Sequence, residues 1–455
     1  MNIEELCRLI DKKAPDLVQS LSKLVKQPSI SAKGVGLVEC ASLVREMMEE
    51  AGIKSEFIDI EGAPPFVFGE VKSKRHDAKT IIFYNHYDVQ PPDPVELWSS
   101  DPFAAEIREG KMFGRGVSDN KADIISRINL VKAFLELGDL PCNVKFIVEG
   151  EEEIGSPHLP VLAERNAERL RADACIWESG GLDEKERPEI TLGMKGILYV
   201  ELRSQVATRD AHSSLGAAVA NPAWRLVWAL SKIKGEDEKI LIPGWYEDVK
   251  ELTDEELKAL EEMPLEEELI KADLGVKEFL PGISGMKLKR ALVGSPTATI
   301  CGFQSGYTGP GSKTVLPSTA LAKIDFRLVP DQKPEKLLKA LESHLAFHGF
   351  GDIEVCVLAK EEAGRTRLDE EIVHCAAEAA KQTYGRDAII KLSSAGSGPM
   401  YLFTKRLKTP SICIGCTHAF ERAHAPDENL RLDIFIQGTK WVARTLSLFG
   451  KQNQR

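Results

Sequence analysis

The sequence predicts an α/β protein in which a mainly parallel sheet forms a larger domain and a ferredoxin-like α+β domain is inserted into it. Two observations lead to this prediction. Largely apolar strand-like runs, such as Thr80–Tyr84 and Val144–Val148, alternate with helical patterns, as strands do when helices cover both faces of a parallel sheet. From about residue 193 the pattern changes to the order β-α-β-β-α-β, which is typical of the ferredoxin-like fold.

The larger domain is predicted from apolar periodicity along two separate parts of the chain. Helical periodicity covers residues 1–26 and 39–52, and a third helix, Lys121–Leu137, ends before Gly138. After about residue 360 the same pattern returns. The further elements of this domain are the strand Ala174–Trp177, the helix Asp369–Tyr384, the strand Ser411–Ile414 and the closing helix Leu432–Phe449. We therefore predict a discontinuous domain formed by residues 1–192 and 360–455.

Residues 193–359 are predicted to form the inserted domain. Its elements are the strand Gly196–Val206, the helix Asn221–Ile233, the strands Thr297–Phe303 and Ala320–Leu328, the helix Pro334–Leu345 and the strand Ile353–Leu358. An acidic stretch at about residues 235–295 separates the first helix from the second strand. Within it, Thr253 followed three residues later by Glu256 is the pattern of a capping box, which opens a short helix.

Composition narrows the classes of function. The 455 residues are too many for one ordinary core. Their net charge of -11 argues against a nucleic-acid partner, which prefers a basic face. No apolar run is long enough to span a membrane, and no signal-like segment follows the acidic start of the sequence. The nine cysteines are dispersed and odd in number, as expected of reduced thiols, so we expect a cytoplasmic protein with no nucleic-acid or membrane partner.

Potential metal ligands follow the ends of predicted strands. His86 and Asp88 come just after Thr80–Tyr84, and their side chains point the same way because alternate residues of an extended strand share a face. Asp119 lies in a glycine-containing loop just before the helix Lys121–Leu137. Taken alone, His86 and Asp88 could belong to a surface turn, and Asp119 could be the N-cap of the helix. In an open α/β sheet, however, sites gather beyond the carboxyl ends of the strands, so their placement favours one shared site.

Acidic residues and a histidine complete this set. Four of the five residues in Glu149–Glu153 are glutamates that directly follow a predicted strand, and such carboxylates repel one another unless something cationic compensates them. Glu178 follows the strand Ala174–Trp177, and His424 lies in a loop; alone, these would be a solvated turn residue and a surface histidine. Together the motifs supply two histidines and at least three carboxylates. That set suits two zinc ions with a bridging carboxylate, and leaves one further carboxylate for proton transfer.

These motifs, taken in order, resemble those of a family of co-catalytic zinc peptidases and deacylases. The family includes cytosolic carnosine-type dipeptidases, carboxypeptidase G, aminoacylase and succinyl-diaminopimelate desuccinylase, and the resemblance covers nearly the whole chain. It implies a catalytic domain with an inserted lid and dimerisation domain. The metal ligands that it implies are His86 and Glu178 for one ion, Glu153 and His424 for the other, and Asp119 as the bridge between them.

The resemblance also assigns the remaining roles. Glu152 is the expected general base, supported by Asp88, and takes the proton of a water whose pKa the metals lower. Arg327 has the planar fork that clamps a substrate carboxylate, although a surface salt bridge is the alternative for this residue. In the dipeptidase branch, His212 serves the active site of the partner chain, so we expect a homodimer. The substrate-binding positions implied are His212, Thr314, Arg327 and Ser397.

We expect two divalent metal ions, zinc first with manganese or cobalt as alternatives, to hydrolyse the amide bond of a dipeptide or related small peptide. A deacylase of N-acyl amino acids is the alternative on the same fold. It stays open because Glu178 stands where carnosine-type dipeptidases have Asp, whereas the carboxypeptidase and deacylase branches have Glu. Three further residues depart from the family: Asn120 and Ala122 stand where it usually has Asp and Gly, and Ser214 stands where Gly is common.

Two unrelated classes of protein fit the sequence less well. A non-catalytic binding protein that keeps the fold would have lost the base or several ligands, and all of them are present. A nucleotide-dependent ligase would need a phosphate loop with Gly-Lys-Ser or Gly-Lys-Thr, which the sequence lacks. A metal-dependent hydrolase is therefore the prediction.

Overall fold

The computed structural model of the protein describes residues 2–138 and 140–451. The α-helices in this part of the chain are α1 (Ile3–Lys12), α2 (Ala14–Val25), α3 (Leu37–Glu50), α4 (Ala122–Glu136), α5 (Leu159–Arg165), α6 (Pro222–Ile233), α7 (Asp254–Glu262), α8 (Glu267–Leu274), α9 (Gly285–Gly294), α10 (Pro334–Phe347), α11 (Glu371–Tyr384) and α12 (Leu432–Phe449). The β-strands are β1 (Lys54–Ile58), β2 (Phe66–Val71), β3 (Thr80–His86), β4 (Glu106–Arg108), β5 (Lys111–Phe113), β6 (Asn143–Glu149), β7 (Ala174–Trp177), β8 (Gly181–Leu182), β9 (Glu189–Thr191), β10 (Gly193–Gln205), β11 (Ala211–His212), β12 (Thr297–Ser305), β13 (Val315–Leu316), β14 (Thr319–Leu328), β15 (Glu354–Glu361), β16 (Gly364–Arg365), β17 (Ile389–Lys391), β18 (Ser394–Ser397), β19 (Ser411–Cys413), β20 (Thr417–His418) and β21 (Asn429–Arg431). None of the helices in these residues has the length and apolar character of a membrane-spanning segment.

An eight-stranded sheet forms the centre of the larger domain, in the order β1-β2-β6-β3-β7-β19-β9-β17. The four middle strands, β6, β3, β7 and β19, are parallel, whereas β2 runs antiparallel to β6 and β9 runs antiparallel to β19. The predicted α/β class is confirmed, with a sheet that is parallel in the middle and mixed towards its edges. The sequence patterns do not predict β1 and β2. The strand β1 is partly exposed along its length, and Gly69 interrupts the apolar run of residues that forms β2.

The apolar sequence of β3 is explained by burial on both faces of the sheet. Ile81 and Phe83 belong to one core, which they share with residues of α1 to α4, α11 and α12. Ile82 and Tyr84 belong to a second core on the opposite face. There Tyr84 stacks on Trp177, with ring centroids 3.8 Å apart. Because helices or loops cover both faces, the strand shows no alternation between polar and apolar residues.

A second sheet belongs to the predicted inserted domain. Its main strands lie in the order β12-β14-β10-β15, each antiparallel to its neighbours, and α6 and α10 pack against it. This is the ferredoxin-like arrangement, so that prediction is confirmed. The acidic stretch between α6 and β12 contains α7 to α9, and the capping box at Thr253 is present. The domain boundaries at 192/193 and 359/360 stay predictions, since β10 also pairs with β16 and β18.

A buried cation ties together the carboxyl ends of two central strands. The guanidinium of Arg127, on α4, is fully buried. It donates hydrogen bonds of 2.7 Å to the carbonyl oxygens of Tyr84 in β3 and Trp177 in β7. A third hydrogen bond, also of 2.7 Å, goes to the side-chain oxygen of Asn85. Arg127 thus satisfies acceptors that would otherwise be buried and unpaired.

We expect Arg127→Leu to lower the free energy of unfolding by about 3–5 kcal/mol, because it leaves three buried acceptors without a donor. Arg127→Lys should recover part of this loss, since one ammonium group cannot reproduce the planar fork of a guanidinium. Urea denaturation followed by fluorescence measures the change. Arg171→Leu, at an exposed arginine, is the matched control and should stay within about 0.5 kcal/mol of the wild type. Equal losses at both positions would rule out this role for Arg127.

Candidate metal centre

The parallel strands bring predicted ligands to one edge of the central sheet. His86 is the last residue of β3 and is fully buried. It lies beside Glu149, the last residue of β6, in the register of those two strands. Glu178 directly follows β7, which pairs with the other side of β3. The carboxyl ends of three neighbouring strands therefore form the floor of the site, as expected in an open α/β sheet.

Asp119 lies between the two predicted histidine ligands. Its Oδ1 is 3.1 Å from Nε2 of His86, and its Oδ2 is 3.0 Å from Nε2 of His424. Each imidazole nitrogen also faces a second carboxylate. Oε2 of Glu178 is 3.6 Å from Nε2 of His86, and Oε2 of Glu153 is 3.1 Å from Nε2 of His424. The five side chains thus form two histidine–carboxylate pairs with Asp119 between them.

Asp88 holds the loop that carries Glu152 and Glu153. Its Oδ1 accepts a hydrogen bond from the backbone N–H of Glu152 at 3.2 Å, and its Oδ2 accepts one from that of Glu153 at 3.1 Å. Nδ1 of His86 lies 3.0 Å from the backbone carbonyl oxygen of Asp88 and 3.4 Å from its Oδ1. Asp88 therefore orients both an imidazole ring and the acidic loop, as a carboxylate behind a metal-binding histidine does.

The other glutamates of the acidic run turn away from this cluster. Glu149 accepts hydrogen bonds from the hydroxyl groups of Tyr84 and Ser156. Burial raises the pKa of Glu149 to about 8, so its neutral form is favoured near neutral pH. The carboxylate of Glu151 lies 2.8 Å from Nδ1 of His158. The run therefore directs two of its four carboxyl groups, those of residues 152 and 153, into the site.

The pKa values of the cluster reflect its crowded carboxylates. Burial, to which the charges of Asp119 and Glu153 add, raises the pKa of Glu152 to about 8. Burial and the carboxylate of Glu152 raise the pKa of Glu178 well above its usual range. Hydrogen bonds to Asp119 and Glu153 raise the pKa of His424 to about 10. The site therefore gathers negative charge and favours any positive charge placed within it.

The residues present fit a bound divalent cation. Within the described part of the chain, Oε2 of Glu178 is buried and has no hydrogen-bond partner. A carboxylate oxygen in that position is costly unless a cation contacts it. Two sets of donor atoms lie within 4.8 Å of one another, one from His86, Glu152 and Glu178 and the other from His86, Asp119 and Glu153. Imidazole and carboxylate donors suit zinc and also manganese or cobalt.

The predicted substrate-binding residues form two pairs outside this cluster. Oγ1 of Thr314 is 3.3 Å from Nε2 of His212, an exposed residue whose Nδ1 lies 2.9 Å from the hydroxyl of Ser214. Nη1 of Arg327 donates to the hydroxyl of Ser397 at 2.8 Å. Within residues 2–138 and 140–451, neither pair is hydrogen-bonded to a predicted metal ligand. The structure thus brings together the predicted metal ligands, the predicted base and its supporting carboxylate, and leaves the substrate residues separate.

Sequence reasoning misses three residues that shape the site. Arg127 is a charged residue directly before Ile128 in α4, and a charge beside the apolar residues of a helix is a weak signal that could identify it. Glu428 lies in the same loop as His424 and is fully buried, although an acidic residue in a loop gives no sign of this. Gln90 donates a hydrogen bond of 2.9 Å to the carboxylate of Glu153. No local pattern distinguishes Gln90 from a surface glutamine.

The sequence model of peptidase family M20/M25/M40 matches residues 82–448, a range that includes the whole cluster. The chain belongs to this family. The M20 chain is 30% identical to the Cys-Gly metallodipeptidase dug1 of Schizosaccharomyces pombe, over 97% of each chain. It is also 30% identical to the Beta-Ala-His dipeptidase of Homo sapiens, over 75% of this chain and 71% of that one. Its structure matches that of the M20 family metallo-carboxypeptidase Sso-CP2 from Sulfolobus solfataricus with a TM-score of 0.90 and 40% identity, over 95% of this chain and 99% of the other.

Membership of the M20 family confirms the resemblance that the motifs indicate. The chain is therefore a metallopeptidase, with its histidine and carboxylate cluster where the sequence motifs predict it. The relatives named above are dipeptidases or a carboxypeptidase, so the alternative of an N-acyl-amino-acid deacylase is not favoured.

Divalent metal should stabilise the M20 chain, because an ion that binds the folded but not the unfolded protein shifts the unfolding equilibrium. After chelator treatment, zinc, manganese or cobalt at about 100 times its Kd should raise the free energy of unfolding by about 2.7 kcal/mol per site. Calorimetry measures the accompanying rise in Tm. Asp119→Asn should reduce that rise, whereas Asp387→Asn, at an exposed position, should not. A Tm that responds to none of the three metals would exclude a metal centre here.

Proposed function

We propose that the chain is a peptidase that uses two divalent metal ions to cleave the amide bond of dipeptides or related small peptides. The observation that carries this proposal is the position of Asp119 between two histidines, each of which faces a further carboxylate. That arrangement suits two neighbouring ions with one shared ligand. Similarity to a Cys-Gly metallodipeptidase and to a Beta-Ala-His dipeptidase supports dipeptides as substrates.

The proposed ligands divide between two ions. His86 and Glu178 would hold one ion, Glu153 and His424 would hold the other, and Asp119 would contribute to both. Each ion then has three protein ligands, which leaves positions open for water and substrate. Zinc is the proposed metal, with manganese and cobalt as alternatives, because nitrogen and oxygen donors accept all three. Three carboxylates offset most of the charge of two divalent ions, which makes their burial tolerable.

Glu152 is the proposed general base. When bound, the two ions supply a water of lowered pKa and an electrophile for the substrate carbonyl. Glu152 accepts a proton from the attacking water and delivers it to the leaving amine. Its carboxylate lies within 4.8 Å of donor atoms of His86 and Glu178, close enough to act beside them. Asp88 fixes the position of the base through the backbone N–H of Glu152.

Arg327 is the proposed clamp for the terminal carboxylate of the substrate. Its Nη1 donates to the hydroxyl of Ser397 at 2.8 Å. Its Nε and Nη2 both lie 3.0 Å from Oδ2 of Asp325, a salt bridge with which a substrate carboxylate would compete. These contacts fix the plane of the guanidinium, and a planar fork binds a carboxylate through parallel hydrogen bonds. The proposed substrate therefore has a free C-terminal carboxylate near the bond that is cleaved. His212 and Thr314 are the residues proposed to contact the substrate beside that bond.

A panel of small peptides tests this function. We expect cleavage of free dipeptides and about 10- to 100-fold lower kcat/KM for the corresponding C-terminal amides, which lose the charged contact with Arg327. Arg327→Lys should narrow that ratio, whereas Lys323→Gln on the same strand should not. Acetylated and succinylated amino acids serve as negative controls. Equal rates for free dipeptides and their amides would refute carboxylate recognition.

A carboxypeptidase is the second candidate function. It is favoured by the similarity to the metallo-carboxypeptidase Sso-CP2 and by Glu178, which the carboxypeptidase branch has in place of Asp. Both activities need a substrate with a free C-terminal carboxylate. A carboxypeptidase also accepts a blocked or extended N-terminal side, whereas a dipeptidase does not. Cleavage of tripeptides and of N-blocked dipeptides at rates similar to free dipeptides would favour the carboxypeptidase.

The two adjacent glutamates should respond differently to substitution. Glu152→Gln should keep both metals but lower kcat by about 10²–10⁴, because it removes the base and not a ligand. Glu153→Gln should lose metal instead. Elemental analysis after gel filtration measures metal content beside kcat, and exposed Glu164→Gln should change neither quantity. A near wild-type kcat in Glu152→Gln would mean that these two roles are assigned wrongly.

The proposed enzyme is a homodimer that pairs through its inserted domain. Trp224 and Trp228 on α6 are 57% and 54% exposed and stack with ring centroids 5.8 Å apart. Ile300 and Phe303, which are 55% and 45% exposed, add apolar surface on the edge strand β12. Exposed apolar groups of this size mark interaction surfaces. His212 belongs to the same domain, and we assign it to the active site of the partner chain.

The proposed location is the cytoplasm, without a nucleic-acid or membrane partner. All nine cysteines are free, including the closely spaced pair Cys413 and Cys416, both of which are buried. Free thiols in this number persist in a reducing compartment. The net charge of -11 disfavours binding to nucleic acid.

Two inactive variants should complement each other if His212 acts in the partner's site. His212→Ala and Glu152→Gln should each be nearly inactive as homodimers. After co-refolding, each heterodimer has one site with both an intact base and an intact histidine, so random pairing restores up to about a quarter of wild-type activity. Gel filtration checks that dimers form. Dimers without recovered activity would place the histidine in its own chain's site.

A further inference from the structure

A buried carboxylate outside the proposed ligand set joins the two loops that carry Asp119 and His424. Glu428 is buried. Its Oε1 accepts hydrogen bonds from the backbone N–H groups of Ser118 at 3.0 Å and Asp119 at 3.1 Å. Its Oε2 accepts one from the backbone N–H of Gly116 at 2.9 Å. One side chain thus binds three backbone donors in the segment that presents Asp119.

The charge of Glu428 is balanced by Arg115. Nη1 of Arg115 donates to Oε2 of Glu428 at 2.7 Å, and both side chains are 1% exposed. A buried ion pair of this kind is tolerated when its geometry is good and further hydrogen bonds satisfy it. Apolar residues of similar volume would often stabilise a protein equally well or better. Stability alone therefore explains the ion pair of Arg115 and Glu428 less well than a role in fixing the loop that carries Asp119.

The backbone supports the same connection between the loops. Asn429 pairs with Phe113 where β21 meets β5. The backbone N–H of Gly114 donates to the carbonyl oxygen of Glu428 at 3.0 Å. The segment that follows Phe113 and the segment that precedes Asn429 therefore leave a short antiparallel pair side by side, and the Glu428 side chain fills the space between them.

The proposed centre consequently has two sides with different supports. The sheet-side site is formed by His86 and Glu178, which follow β3 and β7 of the central sheet. The loop-side site is formed by Glu153, four residues after β6, and by His424, which lies in the loop between β20 and β21, two strands outside that sheet. Asp119 belongs to both sites, and its backbone N–H is held by the carboxylate that lies four residues after His424.

We propose that Glu428 is a positioning residue that fixes Asp119 relative to His424 and thereby sets the metal affinity of the loop-side site. The inference rests on the two-metal function proposed above. Glu428 acts through the backbone of the Asp119 loop and contacts neither substrate nor a reacting atom. Without Glu428, the sheet-side site keeps His86 and Glu178 at the ends of their strands. In the loop-side site, the distance between Asp119 and His424 is no longer fixed.

Isothermal titration of metal-free protein with zinc tests this inference without measuring activity. Glu428→Gln keeps the size of the side chain, but its amide has one acceptor oxygen where the carboxylate has two, so its NH2 group must face either Arg115 and Gly116 or Ser118 and Asp119, which are all donors. We expect the wild type to bind two ions and the variant to bind the loop-side ion about 10- to 100-fold less tightly. The sheet-side ion should weaken by no more than about threefold, because Asp119 is the one sheet-side ligand that loses a support while His86 and Glu178 stay fixed at their strand ends. His424→Ala identifies which binding phase belongs to the loop side.

Glu362→Gln is the matched control, since Glu362 is a buried carboxylate that pairs with Lys405 and Arg406 outside the cluster. Weakening of both phases by the same factor in Glu428→Gln, or two unchanged phases, would overturn the inference. Fewer than two ions in the wild type would instead defeat the two-metal function, and this inference with it. If circular dichroism shows that Glu428→Gln is unfolded, Glu428→Asp keeps the charge but shortens its reach, and the same selective weakening is expected.

Discussion

The geometry of the site depends on a buried guanidinium at the carboxyl ends of the central strands. Parallel strands end together, and their last carbonyl oxygens need donors that an apolar interior does not supply. Arg127 provides those donors to β3 and β7. It belongs to α4, which begins three residues after Asp119. The same cation therefore connects the strands that carry His86 and Glu178 with the loop that presents the carboxylate between the two histidines.

The placement of charge follows from this arrangement. Arg115 and Arg127 lie behind the site, where they hold Glu428 and the strand ends. Within residues 2–138 and 140–451, no lysine or arginine forms an ion pair with a proposed metal ligand. No lysine or arginine of the described residues thus offsets the charge of the ligand carboxylates, whose ion-pair partners are the two histidines. Burial first, and the neighbouring carboxylates second, raise the pKa values of Glu152 and Glu178. A divalent cation bound there would favour the charged forms of both groups.

Much of this architecture can be predicted from the sequence, because buried strands and amphipathic helices have strong apolar patterns. The predicted bounds of β7 and α12 match the structure. The five proposed ligands can be named because each lies in a recognisable motif, four of them just after a strand or before a helix. Glu428 cannot be found in this way, since the backbone N–H that it binds in Ser118 is 310 residues away. Burial of an acidic side chain depends on such distant contacts, which no local pattern contains.

The order of strands in the central sheet has a consequence for synthesis on the ribosome. β19 lies between β7 and β9, yet it is made only after the whole inserted domain. At a synthesis rate of about 5–20 residues per second, β7 lacks its neighbouring strand β19 for on the order of ten seconds or more. The inserted domain can fold in that interval, while the nascent larger domain exposes an open apolar edge that chaperones would recognise. Because His424 emerges later still, the growing chain lacks one of the five proposed metal ligands until the other four have long been made.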